Sequence, residues 1–344
     1  MKALVTGGTG FIGSHVVDRL RAKGIEVRVF DMVMPTFRED LEFYHGSLLD
    51  LEALRMAMSE IDVVYHLAAI ADVKDVYEEP HYAESINVRG TINVLEAARR
   101  TKLRRLIYGS TTWVYGDATT TVVDEDTPLQ APSHLYTATK IASEYYCQSY
   151  SKLYHLPVTI LRYGIPYGPR ARDGAVIPIF VRKAMKGEPL TLAGDGSQFR
   201  QFVYVGDLAE GNVLALKSVA QNKIYNLDGT EKVTIANIAQ TIQRLLGDVR
   251  IEYGPARPGD FGGKEISSQR ALRELGWRPT VSFEEGIKRY IEWYRSRETK
   301  REREWAAVDA SLKDAPASSS SPERVGAHGG SASTPHRQPV PRRG

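Results

Sequence analysis

Short runs of apolar residues alternate with amphipathic stretches through the first half of the chain. Helical spacing of apolar positions predicts helices near residues 12–23, 51–58, 82–100 and 136–154. Runs rich in β-branched residues predict strands at residues 3–5, 27–30, 63–66, 106–108 and 158–161. Strands that alternate with helices are typical of parallel sheets with helices on both faces. The pattern therefore predicts an α/β fold built on a doubly wound parallel sheet.

The alternation breaks down after Tyr167-Gly168-Pro169, where the apolar runs shorten and Gly and Pro become more frequent. We expect residues 1–168 to form the first domain, with later segments returning to it, and residues 169–296 to form mainly a smaller, interleaved α/β domain. Residues 297–344 are expected to hold a charged helix end and a tail. From about Trp305 the sequence is mostly Ala, Ser, Gly, Pro and Arg, a composition that favours disorder.

The charges of the chain nearly balance, with 45 basic and 42 acidic residues. The surplus of three lies in residues 297–344, so the body before them is neutral and lacks the broad basic face of a nucleic-acid binder. No run approaches the roughly 18 apolar residues of a membrane-spanning helix. Met1 leads directly into a strand rather than a signal peptide, and the single cysteine, Cys147, allows no internal disulfide. A cytoplasmic protein is expected.

A glycine-rich segment, Thr6-Gly7-Gly8-Thr9-Gly10-Phe11-Ile12-Gly13, joins the first strand to the first helix. Without Cβ atoms, such a loop turns tightly and approaches a pyrophosphate, whose charge is met by the positive end of the helix. This strand, loop and helix predict a Rossmann-type dinucleotide site. The alternative is a tight turn whose glycines serve only helix packing.

Asp31 ends the second predicted strand, where a carboxylate can accept hydrogen bonds from both ribose hydroxyls of a dinucleotide. The same carboxylate would repel a 2′-phosphate, so NAD is favoured over NADP. Arg28 and Arg38 weaken this preference, because an arginine beside the pocket would suit a phosphate.

Tyr136 and Lys140 lie four residues apart, on one face of a predicted helix. The phenol has a reference pKa of about 10, which a neighbouring ammonium and a cationic nicotinamide would lower. The pair would then move protons near neutral pH. Ser110 and Thr111 end a preceding strand, and their hydroxyls are placed to donate to the same substrate oxygen. Many helices carry such a pair by chance, and a solvated helix face is the alternative.

Taken with TGGTGFIG before this pair and Ser-Thr-x-x-Val-Tyr-Gly between them, the sequence resembles the extended short-chain dehydrogenase/reductase family. The resemblance is to its NAD-dependent nucleotide-sugar epimerase and dehydratase branch, with UDP-glucose 4-epimerase-like members, and covers about residues 1–296. Further matching motifs are His66-Leu67-Ala68-Ala69, Asn87-Val88-Arg89-Gly90-Thr91, Leu161-Arg162-Tyr163, Tyr167-Gly168-Pro169-Arg170, Gly194-Asp195-Gly196-Ser197-Gln198, Arg257-Pro258-Gly259-Asp260 and Leu275-Gly276-Trp277-Arg278-Pro279.

The resemblance implies a role for each matching position, and it implies no metal. The catalytic residues would be Thr111, Tyr136 and Lys140. The cofactor would contact Gly7, Gly10, Phe11, Ile12, Gly13, Asp31, Leu48, Leu67, Ala68, Ala69, Asn87, Ser110, Tyr136, Lys140 and Tyr163. The nucleotide-diphosphate sugar would contact Thr111, Thr112, Tyr136, Ile165, Leu190, Arg200, Arg257 and Asp260, with the two arginines clamping its diphosphate.

The reaction is narrowed by the two positions after Thr111. Dehydratases of this family carry Asp-Glu there and uronic-acid decarboxylases retain the Glu, whereas this chain has Thr112 and Trp113. The resemblance then implies a 4-epimerase of a UDP-hexose or UDP-hexuronic acid, which oxidises the C4 hydroxyl to a ketone and reduces it again on the opposite face. NAD would remain bound and be regenerated in each turnover.

Other interpretations stay open. A dehydratase, decarboxylase or reductase of the same family is one alternative, and a non-catalytic NAD-binding regulatory protein is another. Ile165 replaces an Asn that contacts the substrate phosphates in many relatives. Lys74, Arg170 and Lys264 fall in regions that approach the sugar in relatives, which would suit a uronic acid.

The resemblance also suggests a homodimer packed through the helices near residues 82–100 and 136–154.

Overall fold

Parallel strands form the centre of the structure, a computed structural model that describes residues 1–116, 118, 120–247, 249–255 and 264–313. The main strands are β1 (Lys2–Thr6), β2 (Glu26–Asp31), β3 (Glu42–His45), β4 (Val63–His66), β5 (Arg105–Thr111), β6 (Val122–Val123), β7 (Val158–Tyr163), β8 (Ile165–Tyr167), β9 (Leu190–Ala193), β10 (Phe199–Tyr204), β11 (Lys223–Leu227), β12 (Lys232–Thr234), β13 (Ile251–Gly254) and β14 (Glu265–Ile266).

Seven of these strands make one sheet, in the order β3-β2-β1-β4-β5-β7-β11, with every neighbouring pair parallel. The order reverses direction between β1 and β4. In open α/β sheets, a crevice that accepts ligands lies at such a reversal, outside the carboxyl ends of the strands. The predicted doubly wound parallel sheet is confirmed.

Helices cover both faces of this sheet, as the alternating pattern predicts. The helices are α1 (Phe11–Ala22), α2 (Leu51–Ala57), α3 (Val73–Glu78), α4 (Pro80–Glu84), α5 (Gly90–Ala98), α6 (Leu135–Tyr154), α7 (Val176–Met185), α8 (Val205–Leu214), α9 (Ile235–Leu246) and α10 (Phe283–Lys313). Leu20 and Leu208, from α1 and α8, pack on one face of the sheet. Leu54, Val94 and Cys147, from α2, α5 and α6, pack on the other.

Smaller sheets lie beyond β7, and they confirm the predicted interleaved α/β part. One contains β12, β10 and β8, and two further pairs are β13 with β9 and β14 with β6. A separate apolar core lies in this part and includes Tyr167, Phe180, Leu190, Ile238 and Tyr290. Because β11 pairs with β7, the chain returns to the large sheet after entering this part. Residues Met1–Ser296 form one compact unit, and the described residues from Arg297 on belong to a second unit.

Three local features differ from the sequence-based expectation. The polar strand β3 has no alternating apolar pattern and was not predicted. The predicted helix at residues 82–100 consists of α4, a π-helical turn at Ser85–Arg89 and α5. Helix α10 continues past Trp305 to Lys313, since the alanines of this segment are strong helix formers. The remainder of the predicted tail, 314–344, lies outside the described residues.

Candidate cofactor and substrate site

The turn between β1 and α1 can be built only with glycine at two positions. Gly7 adopts φ +71°, and a Cβ there would stand 2.6 Å from the backbone nitrogen of Ala68. A Cβ on Gly13 would stand 2.0 Å from the carbonyl oxygen of Gly7. The loops after β1 and β4 are therefore in direct contact, and the N-terminus of α1 is left open toward a ligand.

A cavity of about 720 Å³ opens where β1 and β4 diverge. Most of the residues predicted to contact the cofactor line it, namely Gly7, Gly10, Phe11, Ile12, Gly13, Asp31, Leu48, Leu67, Ala68, Ala69, Ser110, Tyr136 and Tyr163. Thr111 and Ile165, predicted to contact the substrate, line it as well. One continuous cavity thus connects the glycine loop with the predicted catalytic residues.

Asp31 is held in place by the glycine loop. The Oδ2 atom accepts hydrogen bonds from the backbone N–H of Thr9 at 3.1 Å and from its hydroxyl at 2.7 Å. Neither arginine that weakened the preference for NAD is turned to this carboxylate. Arg28 binds Glu42 at 2.7 Å, and Arg38 binds Asp18 at 3.2 Å. The local geometry suits a ribose with two free hydroxyls.

Asn87 lies behind the cavity wall rather than in it. Its side-chain oxygen accepts from the N–H of Ile70 at 2.8 Å, and its amide donates to the carbonyl of Ile70 at 2.9 Å and to Thr139 Oγ1 at 3.1 Å. The residue sits in the π-helical turn and is 2% exposed. It ties the loop after β4 to α6, which fixes the wall that the cofactor would touch.

A chain of buried hydrogen bonds runs beneath the same wall. Thr91 donates to the carbonyl oxygen of Asn87 at 2.6 Å, so its oxygen is free to accept from His66 Nε2 at 2.9 Å. His66 Nδ1 then accepts from the Thr6 hydroxyl at 2.8 Å. Burial lowers the pKa of His66 to about 3, and the nearby Lys140 acts in the same direction. His66 is therefore neutral and serves as a fixed connection between β1, β4 and α5.

Tyr136 and Lys140 project from the first turns of α6, toward the ends of β5. The Lys140 ammonium is 6.0 Å from the centre of the Tyr136 ring and donates a hydrogen bond to the carbonyl of Gly109 at 2.8 Å. Lys140 does not line the cavity, because it is buried behind the phenol. Thr111 Oγ1 accepts from the backbone N–H of Trp113 at 3.2 Å, which leaves its own proton to donate elsewhere.

The electrostatics of this pair differ from the expectation. Burial raises the pKa of Tyr136 to about 12, and the charge that opposes this increase is Arg172 rather than Lys140. Burial also lowers the pKa of Lys140 to about 8, against the attraction of the Cys147 thiol group and Glu144. Desolvation disfavours both charged forms in the protein alone. A phenolate near neutral pH therefore requires further positive charge, such as that of an oxidised nicotinamide.

Ser110 is engaged with a buried ion pair, although it was expected to donate to the substrate. Its hydroxyl donates to Glu144 Oε1 at 2.5 Å, and Glu144 pairs with Arg162 at 2.7 Å. Arg162 also donates to the hydroxyl of Tyr115 at 2.9 Å. The proton of Ser110 is thus committed to the carboxylate that faces Lys140, and Thr111 remains the hydroxyl donor at the cavity.

The other predicted substrate contacts are not gathered at the cavity. Thr112 is buried, and Leu190 is fully buried in the core of the smaller part. Arg200 lies on β10 and donates to the carbonyl of Phe199 at 2.7 Å, and it does not line the cavity. Arg257 and Asp260 lie outside the described residues.

The three cations predicted near the sugar also lie elsewhere. Lys74 pairs with Glu78 at 3.7 Å on the surface, and Arg170 pairs with Asp18 at 2.8 Å beside α1. Lys264 donates to the carbonyl of Gly116 at 2.8 Å. The sequence does not show which partners these cations take.

Arg172 is a cavity-lining cation that sequence reasoning missed. It forms an ion pair at 2.5 Å with Asp72, from the loop before α3, so the pair joins the loop after β4 to the loop after β8. Trp113 also lines the cavity, although the sequence singled it out only for the carboxylate that it replaces. A separation of 100 residues between Asp72 and Arg172 left no local signal for the ion pair.

Neither a membrane span nor a metal site is found in the part of the chain that the structure describes. No described helix is long and apolar enough to cross a bilayer. No group of three or more His, Cys, Asp or Glu side chains within that part is arranged to hold a metal ion.

Comparison with known proteins gives consistent matches. The sequence model of the NAD dependent epimerase/dehydratase family matches residues 3–228. The chain is 34% identical over 304 residues to a putative UDP-glucose 4-epimerase of Methanocaldococcus jannaschii, covering 85% of this chain and 98% of that protein. It is 35% identical over 321 residues to the UDP-N-acetyl-alpha-D-glucosaminuronate decarboxylase of Bacillus cytotoxicus, covering 86% and 98%.

A solved structure agrees with these relatives. The UDP-glucose 4-epimerase of Thermus thermophilus, in complex with NAD, matches with a TM-score of 0.78 and 35% sequence identity. The match covers 86% of this chain and 99% of that one. The likeness therefore includes both the large sheet and the smaller interleaved part.

Proposed function

The chain belongs to the NAD dependent epimerase/dehydratase family, and from this premise we propose that it is a nucleotide-sugar 4-epimerase. The predicted NAD cofactor is confirmed by the family and fits the glycine loop and Asp31. The proposed substrate is a UDP-hexose or a UDP-hexuronic acid, in line with the UDP-sugars named for the relatives.

One observation carries the choice of reaction. Tyr136 and Thr111 line the cavity together, and the next two positions hold Thr112 and Trp113 rather than carboxylic acids. Elimination of water from the sugar needs an acid and a base at those positions in the dehydratases that the motif resembles. Without them, oxidation at C4 followed by reduction at C4 is the sequence of steps that the side chains support.

The residues divide the chemistry as follows. Thr111 donates a hydrogen bond from its hydroxyl to the C4 oxygen of the sugar and holds that oxygen against the phenol oxygen of Tyr136. Tyr136 accepts the proton of the sugar C4 hydroxyl and returns it when the C4 ketone is reduced. Lys140 supplies positive charge behind the phenol, and its hydrogen bond to Gly109 keeps the ammonium in position. NAD, when bound, supplies the acceptor and donor of the hydride.

Decarboxylation of a uronic acid is the second candidate, because a decarboxylase matches this chain as well as an epimerase does. Arg172 supports an acidic sugar, since its guanidinium lines the cavity and its charge acts on Tyr136. A sugar carboxylate would compete with Asp72 for this cation. Trp113 argues against this candidate, because it replaces the Glu that the decarboxylases retain.

We also propose that the chain assembles as a homodimer through α4 and α6. Tyr82 on α4 and Tyr145, Tyr146, Leu153 and Tyr154 on α6 expose large apolar side chains. Such a surface on the helices that cover one side of a domain is typical of a protein interface.

The proposed reaction is tested by incubating the purified protein with UDP-, dTDP- and GDP-sugars, including UDP-glucose and UDP-glucuronate, without added cofactor. NMR is expected to show conversion of a UDP-sugar to its C4 epimer, with no net change in NADH absorbance. Release of carbon dioxide and a UDP-pentose would instead establish the decarboxylase. Turnover that occurs only with added NAD⁺ or NADH, with a net change in NADH absorbance, would establish a dehydrogenase or reductase.

The role of Tyr136 is tested with Tyr136→Phe, which removes only the phenol oxygen. Loss of a general base typically costs about 10²–10⁴ in rate, and we expect a decrease of that size with NAD still bound. Tyr253→Phe, at an exposed tyrosine of β13, is the matched control and should leave turnover unchanged. Full activity of Tyr136→Phe would refute the mechanism.

A further inference from the structure

Trp113 presents its indole to the cavity from the short turn that follows β5. The turn runs from Thr112 to Tyr115, and both Thr112 and Val114 are buried beneath it. Trp113 is 40% exposed and lines the cavity, which its three neighbours in the turn do not. An exposed indole next to a catalytic strand is an unusual use of a large apolar side chain, because tryptophan is normally well buried.

The indole is held by a second aromatic ring. The His134 ring lies edge-on to Trp113, with centroids 4.8 Å apart and an interplanar angle of 67°. His134 is fixed in turn by Thr137, whose hydroxyl is 3.0 Å from Nδ1 and whose N–H donates to it at 3.3 Å. This side chain caps the helix that carries Tyr136.

The same imidazole is stacked on the catalytic phenol. The His134 and Tyr136 rings are nearly parallel, at 18°, with centroids 6.3 Å apart. Burial lowers the pKa of His134, so the ring is uncharged at neutral pH. Trp113 and Tyr136 therefore form an uncharged aromatic wall of the cavity, and the His134 ring, which does not line the cavity, contacts both of them.

Such a wall is suited to a sugar ring. The C–H groups of a pyranose form apolar patches on its two faces, and ligand pockets commonly use aromatic side chains for such patches and a few polar groups for orientation. Contact with the face of an indole is broad and has no single direction, unlike a hydrogen bond to a carboxylate. A sugar that rotates within the site during the reaction would keep this contact in both orientations.

We propose that Trp113 determines specificity by packing against the sugar ring, and that it holds the ketone intermediate in either of two orientations. This inference rests on the proposed 4-epimerase function. It predicts that the contact contributes to binding of the sugar and not of the nucleotide, and that it contributes equally to binding of the two C4 epimers.

Binding is tested by tryptophan fluorescence with UDP-glucose and with UDP as the probes. UDP-glucose should quench the wild-type emission more than UDP does, and this extra quenching should disappear in Trp113→Phe. Trp305→Phe, at a 76% exposed tryptophan of α10, is the matched control and should retain the extra quenching by UDP-glucose. Calorimetry should show UDP-glucose bound about tenfold more weakly by Trp113→Ala, with UDP affinity unchanged, a loss of about 1.4 kcal/mol.

Steady-state kinetics test whether Trp113 contacts the sugar in both orientations, with the two epimers that the wild type interconverts as substrates. Trp113→Ala should raise KM by a similar factor for both epimers, and Trp113→Phe should recover most of the loss. Equal UDP-glucose affinity in wild type and Trp113→Ala would overturn the inference, as would a rise in KM for only one of the two epimers. Absence of C4 epimers with intact Trp113-dependent binding would instead overturn the proposed reaction while retaining the sugar contact. A thermal unfolding midpoint close to wild type confirms that each variant is folded.

Discussion

Tyr136 and Lys140 are shifted by burial toward their uncharged forms, since the pKa of the phenol is raised and the pKa of the ammonium is lowered. Without a cofactor, the phenol is therefore deprotonated less readily than free tyrosine, and the lysine is held in a site that penalises its charge. Enzymes commonly accept such strain where function requires a group in an unfavourable place. The effect of the buried Lys140 ammonium on the free energy of unfolding can be measured as a function of pH.

The pH dependence of stability should reveal this buried ammonium. The folded-state pKa of about 8 lies below the ordinary value of 10.5, so the unfolded chain binds more protons between these values. Lys140 thus destabilises the folded protein below pH 8, and the penalty is relieved as pH rises through the folded-state pKa. Relative to Lys140→Met, the wild type should gain up to about 3 kcal/mol in free energy of unfolding between pH 7 and 10.

Urea denaturation of both proteins at several pH values measures this difference. Lys183→Met is the control, because the contact of that lysine with the carbonyl of Pro189 is only partly buried, and it should show no comparable trend. A constant difference between wild type and Lys140→Met across the range would show that the ammonium is not penalised by burial.

At the scale of elements, the strands and helices of the large sheet could be predicted because each has a strong local pattern. The glycine turn could be predicted equally well, since close approaches of the backbone require glycine at positions 7 and 13. The polar strand β3 and the π-helical turn around Asn87 are set by tertiary packing and left no such pattern. Arg172 faces the cavity because of a fold-level approach between distant loops, which spacing along the sequence does not encode.

The π-helical turn makes a testable contribution to cofactor binding. Asn87→Ala would leave the partly buried N–H and carbonyl of Ile70 without their side-chain partner, at a cost of about 1 kcal/mol per lost hydrogen bond. We expect lower stability together with a lower content of bound NAD after purification, because the loop after β4 loses its attachment. Released NAD is measured by absorbance after denaturation.

Asn237→Ala is the control, since the Asn237 side chain also accepts a hydrogen bond from a backbone N–H, that of Thr234 in the capping box of α9. Asn237 does not line the cavity. Asn237→Ala should destabilise the protein while NAD content is retained. Full NAD occupancy in Asn87→Ala would show that the tie to Ile70 is not needed to shape the cofactor site.

At the scale of the whole molecule, α6 exposes more large apolar side chains in one place than the surface of a monomeric protein usually does. If they form the proposed dimer interface, Leu153→Glu should place a charge in it and shift the protein to a monomer. Leu153 is 67% exposed, so the change should not disturb the fold of the single chain. Size-exclusion chromatography with light scattering gives the mass directly.

Tyr253→Glu is the control for this experiment, because Tyr253 is similarly exposed but lies on β13, in a different element. It should leave the assembly unchanged. A wild type that is monomeric at micromolar concentration would refute the dimer, and so would a Leu153→Glu variant with the mass of a dimer.

Cys147 carries a practical consequence for labelling. It is the sole cysteine of the sequence, it is fully buried in the core under α6, and burial raises the pKa of its thiol. Thiolates, not thiols, react with maleimides, so the native residue should remain silent to such reagents. A cysteine introduced at any exposed position would then be a unique attachment point for a dye or spin label, with no need to remove the native one first.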